Sequence, residues 1–234
     1  MMRGCLSVLV LALAFVAIAI WFGGPPLASA MVRTTLTSSG FTADTLDVEV
    51  TSDPPLKLAV GRADRIAIMA TGVRWNTLRL ASLSLSLGSV DLVARTAATA
   101  DGRLGGAQLN RADGEPIAGD VVVSGPADAA RTTFSVDAPA VDAMAIAAFE
   151  TTFGVRPSSA TLAAPDLVRV KVGGLTISGR LSVAADGSIV VTANGATIRL
   201  LAPDPSLPVR LTGLSVTPKG IELVGTIDVS SLLR

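Results

Sequence analysis

Apolar and polar residues alternate along most of the chain after residue 40. The clearest example is Leu83–Leu87, in which three leucines alternate with two serines. Alternation with a period of two places apolar side chains on one face of a β-strand and polar side chains on the other. The same alternation predicts strands in Leu46–Val50, Leu56–Val60, Arg65–Met69, Val168–Val172, Leu175–Ser178, Leu181–Val183, Ile189–Val191, Thr197–Leu200, Val209–Leu211, Leu214–Val216 and Ile221–Val224.

Turn residues separate these strands and predict antiparallel hairpins. Asp186–Gly187 lies between two alternating segments, and Pro218–Gly220 lies between two others. Both sequences are typical of tight turns between neighbouring strands. Leu78 and Leu80 occupy even positions, whereas Leu83, Leu85 and Leu87 occupy odd positions. A continuous strand would turn these leucines to opposite faces, so we expect a bulge or turn near Ala81–Ser82.

One long segment in the middle of the chain shows helical spacing instead. Its apolar residues recur every three or four positions, at Val141, Met144, Ala145, Ala148 and Phe149. Asp137 is the predicted N-cap of this helix, and Gly154 is its predicted end. A shorter amphipathic helix is predicted over Met31–Ser39, with Gly40 ending it.

The order of strands, helix and strands predicts an α+β fold dominated by strands. We expect one curved, largely antiparallel sheet packed around one main helix, within a single domain over residues 31–234. Aromatic residues make up 3% of the chain, while hydrophobic residues make up 50%. The sheet faces are therefore built mostly from small aliphatic side chains, and this favours a groove lined by aliphatic residues.

The N-terminal segment, residues 1–30, is typical of a targeting sequence. Leu6–Phe22 is uncharged and apolar, and Ala28–Ala30 matches the A-x-A pattern that signal peptidases accept. The A-x-A pattern favours a cleaved signal peptide, whereas the length of the apolar run favours a retained membrane anchor. Both interpretations predict that residues 31–234 lie outside the cytoplasm, either secreted or anchored to the cytoplasmic membrane by residues 6–22.

Composition argues against several classes of function. The 19 basic residues equal the 19 acidic residues, so no excess positive charge attracts nucleic acid. Histidine is absent and Cys5 is the only cysteine, which excludes histidine-based catalysis, histidine–zinc sites and a disulfide within the chain. The cluster of Asp44, Asp47 and Glu49 matches no standard metal loop, and Gly102–Gly106 is interpreted as a turn. We therefore expect no enzyme activity, cofactor or metal.

The segment Lys57–Arg79 carries five basic residues against one acid, Asp64, and it also contains Trp75. Arginine binds phosphate oxygens in two-point geometry, and tryptophan is enriched at membrane interfaces. One interpretation is a loop end that meets anionic phospholipid headgroups. The other is a general preference of this chain for arginine over lysine, with Trp75 covering the core.

Four segments in sequence order carry a resemblance to a known family. They are the strand region Lys57–Arg74, the leucine-rich strand Leu78–Leu87, the helix Val141–Phe149 and the C-terminal run Leu207–Leu223. Together they resemble the LmeA-like phospholipid-binding family of bacterial cell-envelope proteins, over about residues 40–230.

The resemblance implies an exported, non-enzymatic protein that binds phospholipid at the cell envelope. It also implies a fold like half of a tubular lipid-binding module. Phospholipid, anionic by our expectation, and the membrane surface are the expected partners. From charge and alternation we assign headgroup binding to Arg62, Arg65, Arg74 and Trp75, and acyl-chain binding to Leu83, Leu85 and Leu87.

Two other classes of function stay open. An envelope structural or assembly protein would bind a partner protein through its sheet edges, and a hydrolase would need a polar pocket with convergent acids. An aliphatic groove open to solvent favours lipid binding. A filled core without a groove favours a protein partner.

Overall fold

Thirteen β-strands form two antiparallel sheets in the part of the chain that the structure describes. The computed structural model describes residues 24, 26–75, 78–110, 116–201 and 209–230. The strands are β1 (Thr45–Thr51), β2 (Arg62–Trp75), β3 (Leu78–Asp91), β4 (Thr99–Asn110), β5 (Pro116–Ser124), β6 (Ala130–Asp137), β7 (Ser159–Ala163), β8 (Leu167–Val172), β9 (Leu175–Val183), β10 (Ile189–Ala193), β11 (Ala196–Leu201), β12 (Val209–Thr217) and β13 (Gly220–Ile227). The large sheet has the order β1-β2-β3-β4-β5-β6-β13-β12, and the small sheet has the order β11-β10-β9-β8-β7.

Two α-helices accompany the strands in the described chain. Helix α1 covers residues 26–38, and helix α2 covers Ala138–Phe153. Asp137 occupies the N-cap of α2, although its side chain makes no capping hydrogen bond, and Gly154 ends the helix in the left-handed conformation with φ 67°. Both predicted helices and the α+β class are confirmed.

The strands divide into two sheets where the sequence predicted one. The chain builds six consecutive strands of the large sheet, crosses through α2 and then forms the small sheet of β7–β11. It returns as β12 and β13, with β13 pairing to β6 over Gly220–Ile227. Because α2 lies between the two sheets, each sheet can bury one face against the helix.

Two groups of buried side chains form the core. The first surrounds α2 and joins its residues Val141 and Met144 to Ile189 of the small sheet and Leu223 of the large sheet. The second lies on the large sheet alone, around Val50, Ile66 and Leu87. Half-buried residues of α1, Ala28, Val32 and Leu36, pack against this second group.

β2 and β3 keep one register along their whole length. The buried side of β3 changes between Leu80 and Leu83, but the strand runs through Ala81–Ser82 with neither a turn nor a register shift against β2, so the expected bulge or turn is wrong in form. Gly72 lies across from this point on β2 with φ +59°, a conformation that L side chains rarely adopt. The change occurs in both strands at once, so the inward residues of β2 still face those of β3.

Two local predictions are wrong. Leu56–Val60 belongs to a 3-10 helix over Pro55–Val60, because Pro55 has no N–H to give to a strand ladder and Gly61 ends the segment with φ 75°. Gly102–Gly106 lies within β4 and is not a turn. A Cβ at Gly102 would meet the Ser84 carbonyl oxygen, so glycine here permits a close approach of β3 and β4.

Some predictions concern residues outside the described chain. The main one is the apolar run of residues 6–22, with its two alternative fates. Ala28 and Ser29, within the predicted targeting segment, contact the fold, and the Val50 amide donates to Ser29 Oγ at 3.2 Å. Among the described residues, no helix is both long and apolar enough to cross a bilayer.

Candidate functional site

An apolar cavity lies between α2 and the inner face of the small sheet. Its volume is about 340 Å³, within the range of small-molecule pockets. Almost all of its lining is apolar, with Asn194 as the only polar side chain. The lining residues are Ala145, Phe149, Phe153, Val155, Val168, Val170, Val172, Ile177, Gly179, Val191, Ala193, Asn194, Ala196, Ile198 and Leu200.

The alternation of β8 explains why one face of the small sheet lines the cavity. Val168, Val170 and Val172 face α2 and the cavity, whereas Arg169 and Lys171 between them are exposed. In β11, Ile198 likewise alternates with exposed neighbours, whereas β10 buries three consecutive residues, Ile189–Val191. The polar side chains therefore face solvent on the outer side, and an aliphatic wall faces inward.

The cavity exists because several of the residues that line it are small. Ala145 of α2, Gly179 of β9 and Ala193 of β10 line it at positions where larger side chains would fill it. Gly179 cannot become larger without conflict, because a Cβ there would meet the Val191 side chain. The gap between α2 and the sheet thus follows from residue size.

The cavity opens to solvent at the C-terminal end of α2. Phe153 and Val155 line it and are 48% and 49% exposed, and the rings of Phe149 and Phe153 lie 4.5 Å apart. Leu175 pairs with the lining residue Val172 across the β8–β9 turn and is 72% exposed. These exposed apolar side chains at the opening make the cavity an aliphatic groove.

One basic side chain follows the opening directly. Arg156 comes just after Val155, and its side chain is 76% exposed. Its Nε lies 3.8 Å from Glu150 Oε2, which is a long and weak ion pair at the surface. The guanidinium is thus available to an anion outside the groove.

Asp142 on α2 is unusual for a charged residue. Its Oδ1 is buried and makes no hydrogen bond to any residue that the structure describes, and burial raises the pKa of this carboxyl above its ordinary value of 3.8. A carboxyl whose pKa is raised in the folded state makes folding less favourable as pH rises through and above its unfolded pKa. Asp142 therefore costs stability at neutral pH.

Asp142→Asn is expected to raise the urea midpoint of unfolding at pH 7, because the amide keeps the shape of the side chain and carries no charge. The gain should disappear near pH 3, where the carboxyl of the wild-type chain is protonated in both states. Asp47→Asn, at an exposed position of β1, controls for the loss of one negative charge. An equal gain at both pH values would contradict the assignment.

The structure does not bring the three predicted headgroup arginines together. Arg62 and Arg74 are exposed near opposite ends of β2, about 40 Å apart at roughly 3.3 Å per residue. Arg65 lies between them, and its Nε donates to Ser86 Oγ at 2.8 Å. The three arginines are therefore spread along β2 and do not form a single loop-end site.

Trp75 contacts the fold at the far end of β2. Its ring is edge-on to Phe41, with centroids 6.3 Å apart, and its Nε1 donates to the Ser39 carbonyl at 3.3 Å. The side chain is half-buried against the first core group. These contacts match the interpretation in which Trp75 covers the core.

The three predicted acyl-chain leucines belong to a different part of the molecule. Leu87 is 2% exposed, and Leu83 and Leu85 are half-buried around the second core group. Helix α1 packs against the same core group. None of the three lines the groove.

The sequence predicted an aliphatic groove but not the residues that form it. The alternation of Val168–Val172 was visible, yet a strand facing a filled core and one facing a cavity show the same pattern. The small residues on the helix, such as Ala145 and Ala148, were the available signal. Small residues on a helix are equally consistent with a helix packed closely on a sheet and with a gap between the helix and the sheet.

Comparison with protein-family models gives one match. The model of the LmeA-like phospholipid-binding family covers residues 22–226. Comparisons with curated proteins and with solved structures found no match. Since the matched segment spans nearly all of the sequence, including α2 and the small sheet, the chain belongs to the LmeA-like phospholipid-binding family.

Proposed function

We propose that this protein is a non-enzymatic phospholipid-binding protein of the cell envelope, and that one acyl chain occupies the groove between α2 and the small sheet. The observation that carries the proposal is the groove itself, an aliphatic cavity of about 340 Å³ with an apolar opening. Membership of a phospholipid-binding family gives the class of ligand. An extracytoplasmic location rests on the apolar run of residues 6–22 and its flanking A-x-A pattern.

The lining chemistry suits an acyl chain better than a polar ligand. Burial of each methylene is worth about 0.8 kcal/mol, so a chain of ten or more carbons gains substantial affinity from the groove alone. A polar substrate would instead leave its hydrogen-bonding groups unpaired against valine, alanine and isoleucine side chains. The second acyl chain of a phospholipid can lie against the exposed Phe153, Val155 and Leu175 at the opening.

The headgroup would lie outside the opening, where Arg156 can reach its phosphate. Arginine and phosphate form charge-assisted hydrogen bonds. Zwitterionic phospholipid carries the same phosphate together with a cationic group, so a guanidinium at this position favours anionic phospholipid through the difference in net charge. The groove thus selects for acyl chains, and Arg156 adds the preference for negative charge.

The proposal is tested by isolating the full chain from membranes and analysing it by native mass spectrometry, followed by lipid extraction. We expect phospholipid bound at about one molecule per chain. The same spectrum gives the mass of the N-terminus and so decides between cleavage and retention of residues 1–30. A chain free of lipid after gentle isolation, and unable to take up added phospholipid, would overturn the proposal.

Arg156→Gln is expected to weaken binding of phosphatidylglycerol by roughly fivefold, since one charge near a phosphate is worth about 1 kcal/mol. Binding of phosphatidylcholine should change less, and added salt should reduce the difference. The measurement is a titration of the detergent-solubilised chain with phospholipid carrying a fluorescent acyl chain. Arg169→Gln, on the outer face of β8, is the matched control; an equal effect of both variants would place the headgroup elsewhere.

The alternative of a protein partner bound through sheet edges has less support. β1 and β12 form the edges of the large sheet, and β7 and β11 form those of the small sheet. Such edges occur in every open sheet and identify no partner. The unfilled groove is the feature that separates the two hypotheses, and it favours lipid.

A further inference from the structure

Exposed apolar side chains collect at one end of the large sheet, far from Trp75. Four of the ten large hydrophobic side chains that are exposed in the described chain lie here. They are Leu27 of α1, Leu56 and Val60 of the 3-10 helix, and Val93 of the turn between β3 and β4. Each is between about half and four-fifths exposed. These four residues are called the apolar tip.

The segments that carry the tip are held together by specific contacts. The Leu92 amide donates to the Gly61 carbonyl at 2.7 Å, which joins the β3–β4 turn to the end of the 3-10 helix. A Cβ added at Gly61 would meet the Val93 side chain, so Val93 lies directly over this position. The Val93 amide also donates to Asp91 Oδ1 at 3.0 Å. These contacts fix the 3-10 helix and the β3–β4 turn relative to each other.

The N-terminal end of the described chain reaches the same place. The position of a Cβ on Gly24 lies 3.5 Å from Leu58 Cδ1 in the 3-10 helix. The apolar run of residues 6–22 ends just before this point in the sequence and contains no charged residue. If a membrane holds residues 6–22, the surface of that membrane therefore lies next to the apolar tip.

We propose that the apolar tip docks on the bilayer surface from which the N-terminal segment emerges, with Leu27, Leu56, Val60 and Val93 inserted among the lipid headgroups. This requires that residues 1–30 stay attached to the domain. It is separate from binding of a lipid molecule in the groove, because none of the four residues lines the groove. The occupant of the tip is a lipid bilayer.

Charge around the tip is balanced. The segments that carry the tip and the residues beside them in the sequence hold three basic residues, Lys57, Arg62 and Arg95, and three acidic ones, Asp53, Asp64 and Asp91, and Arg62 is opposite Asp91 across β2 and β3. Lys57 Nζ and Asp64 Oδ1 are 2.8 Å apart, which is a surface ion pair. With no net charge to attract anionic lipid, docking depends on the apolar side chains and is indifferent to the charge of the headgroups.

The test places a fluorescent probe at the tip of the full chain. Cys5→Ser removes the natural thiol, and Val93→Cys or Val60→Cys accepts an NBD label at an exposed position. Met69→Cys is the matched control, because Met69 is exposed in the middle of β2. The labelled chains are reconstituted in vesicles of phosphatidylcholine, or of phosphatidylcholine with phosphatidylglycerol, that contain a doxyl-labelled quencher lipid.

We expect several-fold stronger quenching at Val93 and Val60 than at Met69, and the same result in both kinds of vesicle. Quenching at the tip no stronger than at Met69 would overturn the proposal, as would a tip label shielded only when a protein partner is added. Quenching that appears only with phosphatidylglycerol would overturn the role of the apolar side chains. Loss of lipid from the groove leaves this readout unchanged, so the two proposals fail independently.

Discussion

Ala145→Phe is expected to empty the groove of lipid. Ala145 faces the cavity from α2 and is 4% exposed, so a phenyl ring at this position points into the space that the acyl chain needs. If the ring displaces about four methylenes, the loss is about 3 kcal/mol, on the order of a hundredfold in affinity. The measurement is a titration with phospholipid that carries a fluorescent acyl chain, using the detergent-solubilised full chain.

Ala143→Phe is the matched control, since it makes the same change on the exposed face of the same helix. We expect lipid binding by this variant to equal that of the wild type. Thermal unfolding of both variants shows whether the fold persists. Equal lipid binding by the folded Ala145→Phe chain would mean that the acyl chain lies elsewhere.

Leu223→Ala is expected to give the largest loss of stability, about 2 to 5 kcal/mol, because it leaves a cavity in close-packed surroundings. Leu223 lies on β13 between Phe134 of β6 and Leu214 of β12, and it is 0% exposed. β13 joins the last strands of the chain to β6, so this position connects distant parts of the sequence. The measurement is the free energy of unfolding in urea.

Leu175→Ala removes the same atoms from a side chain that is 72% exposed, and we expect it to change stability by less than about 0.5 kcal/mol. Both variants replace leucine by alanine, so a difference between their losses of stability reports on burial alone. Similar losses for the two variants would show that β13 is not part of the cooperative core. A large loss of stability for Leu175→Ala alone would show that the side chains at the groove opening belong to the core.

The fold was predictable wherever a local pattern decides local structure. The leucines of β3, the helical spacing that begins at Val141 and the turn at Asp186–Gly187 each specify their element through nearby residues. The division into two sheets was not predictable in this way. It depends on β13 pairing with β6, whose residues lie more than eighty positions earlier in the chain.

The sequence was enough to predict a groove lined by aliphatic side chains, but not to predict which residues line it. Alternation with few aromatics indicated an aliphatic groove, yet Leu83 and Leu85 carry the same signal as Val168 and Val170. Which pair faces a cavity depends on distant parts of the chain. Leu83 and Leu85 pack around the core group that α1 also joins, whereas the small residues of α2 leave space over the valine face.

The clustering of charge in the sequence did not point to the headgroup position proposed here, and the assignment to Arg62, Arg65 and Arg74 stays a prediction. The basic residues from Lys57 to Arg79 are close in sequence, but strands β2 and β3 extend them over the length of the sheet. Arg156 is a single arginine outside that run. Its proposed role rests on its place beside the opening, after Val155 at the end of α2.

The most direct test of the central claim is photo-crosslinking with a phospholipid that carries a diazirine in one acyl chain, followed by mapping of the modified residues by mass spectrometry. We predict modification of α2 and of strands β8–β11, at lining residues such as Phe149, Val170 and Ile198. Arginine-rich β2 and the leucines of β3 should remain unmodified. Cross-links concentrated on Leu83–Leu87 instead of the groove would contradict the account.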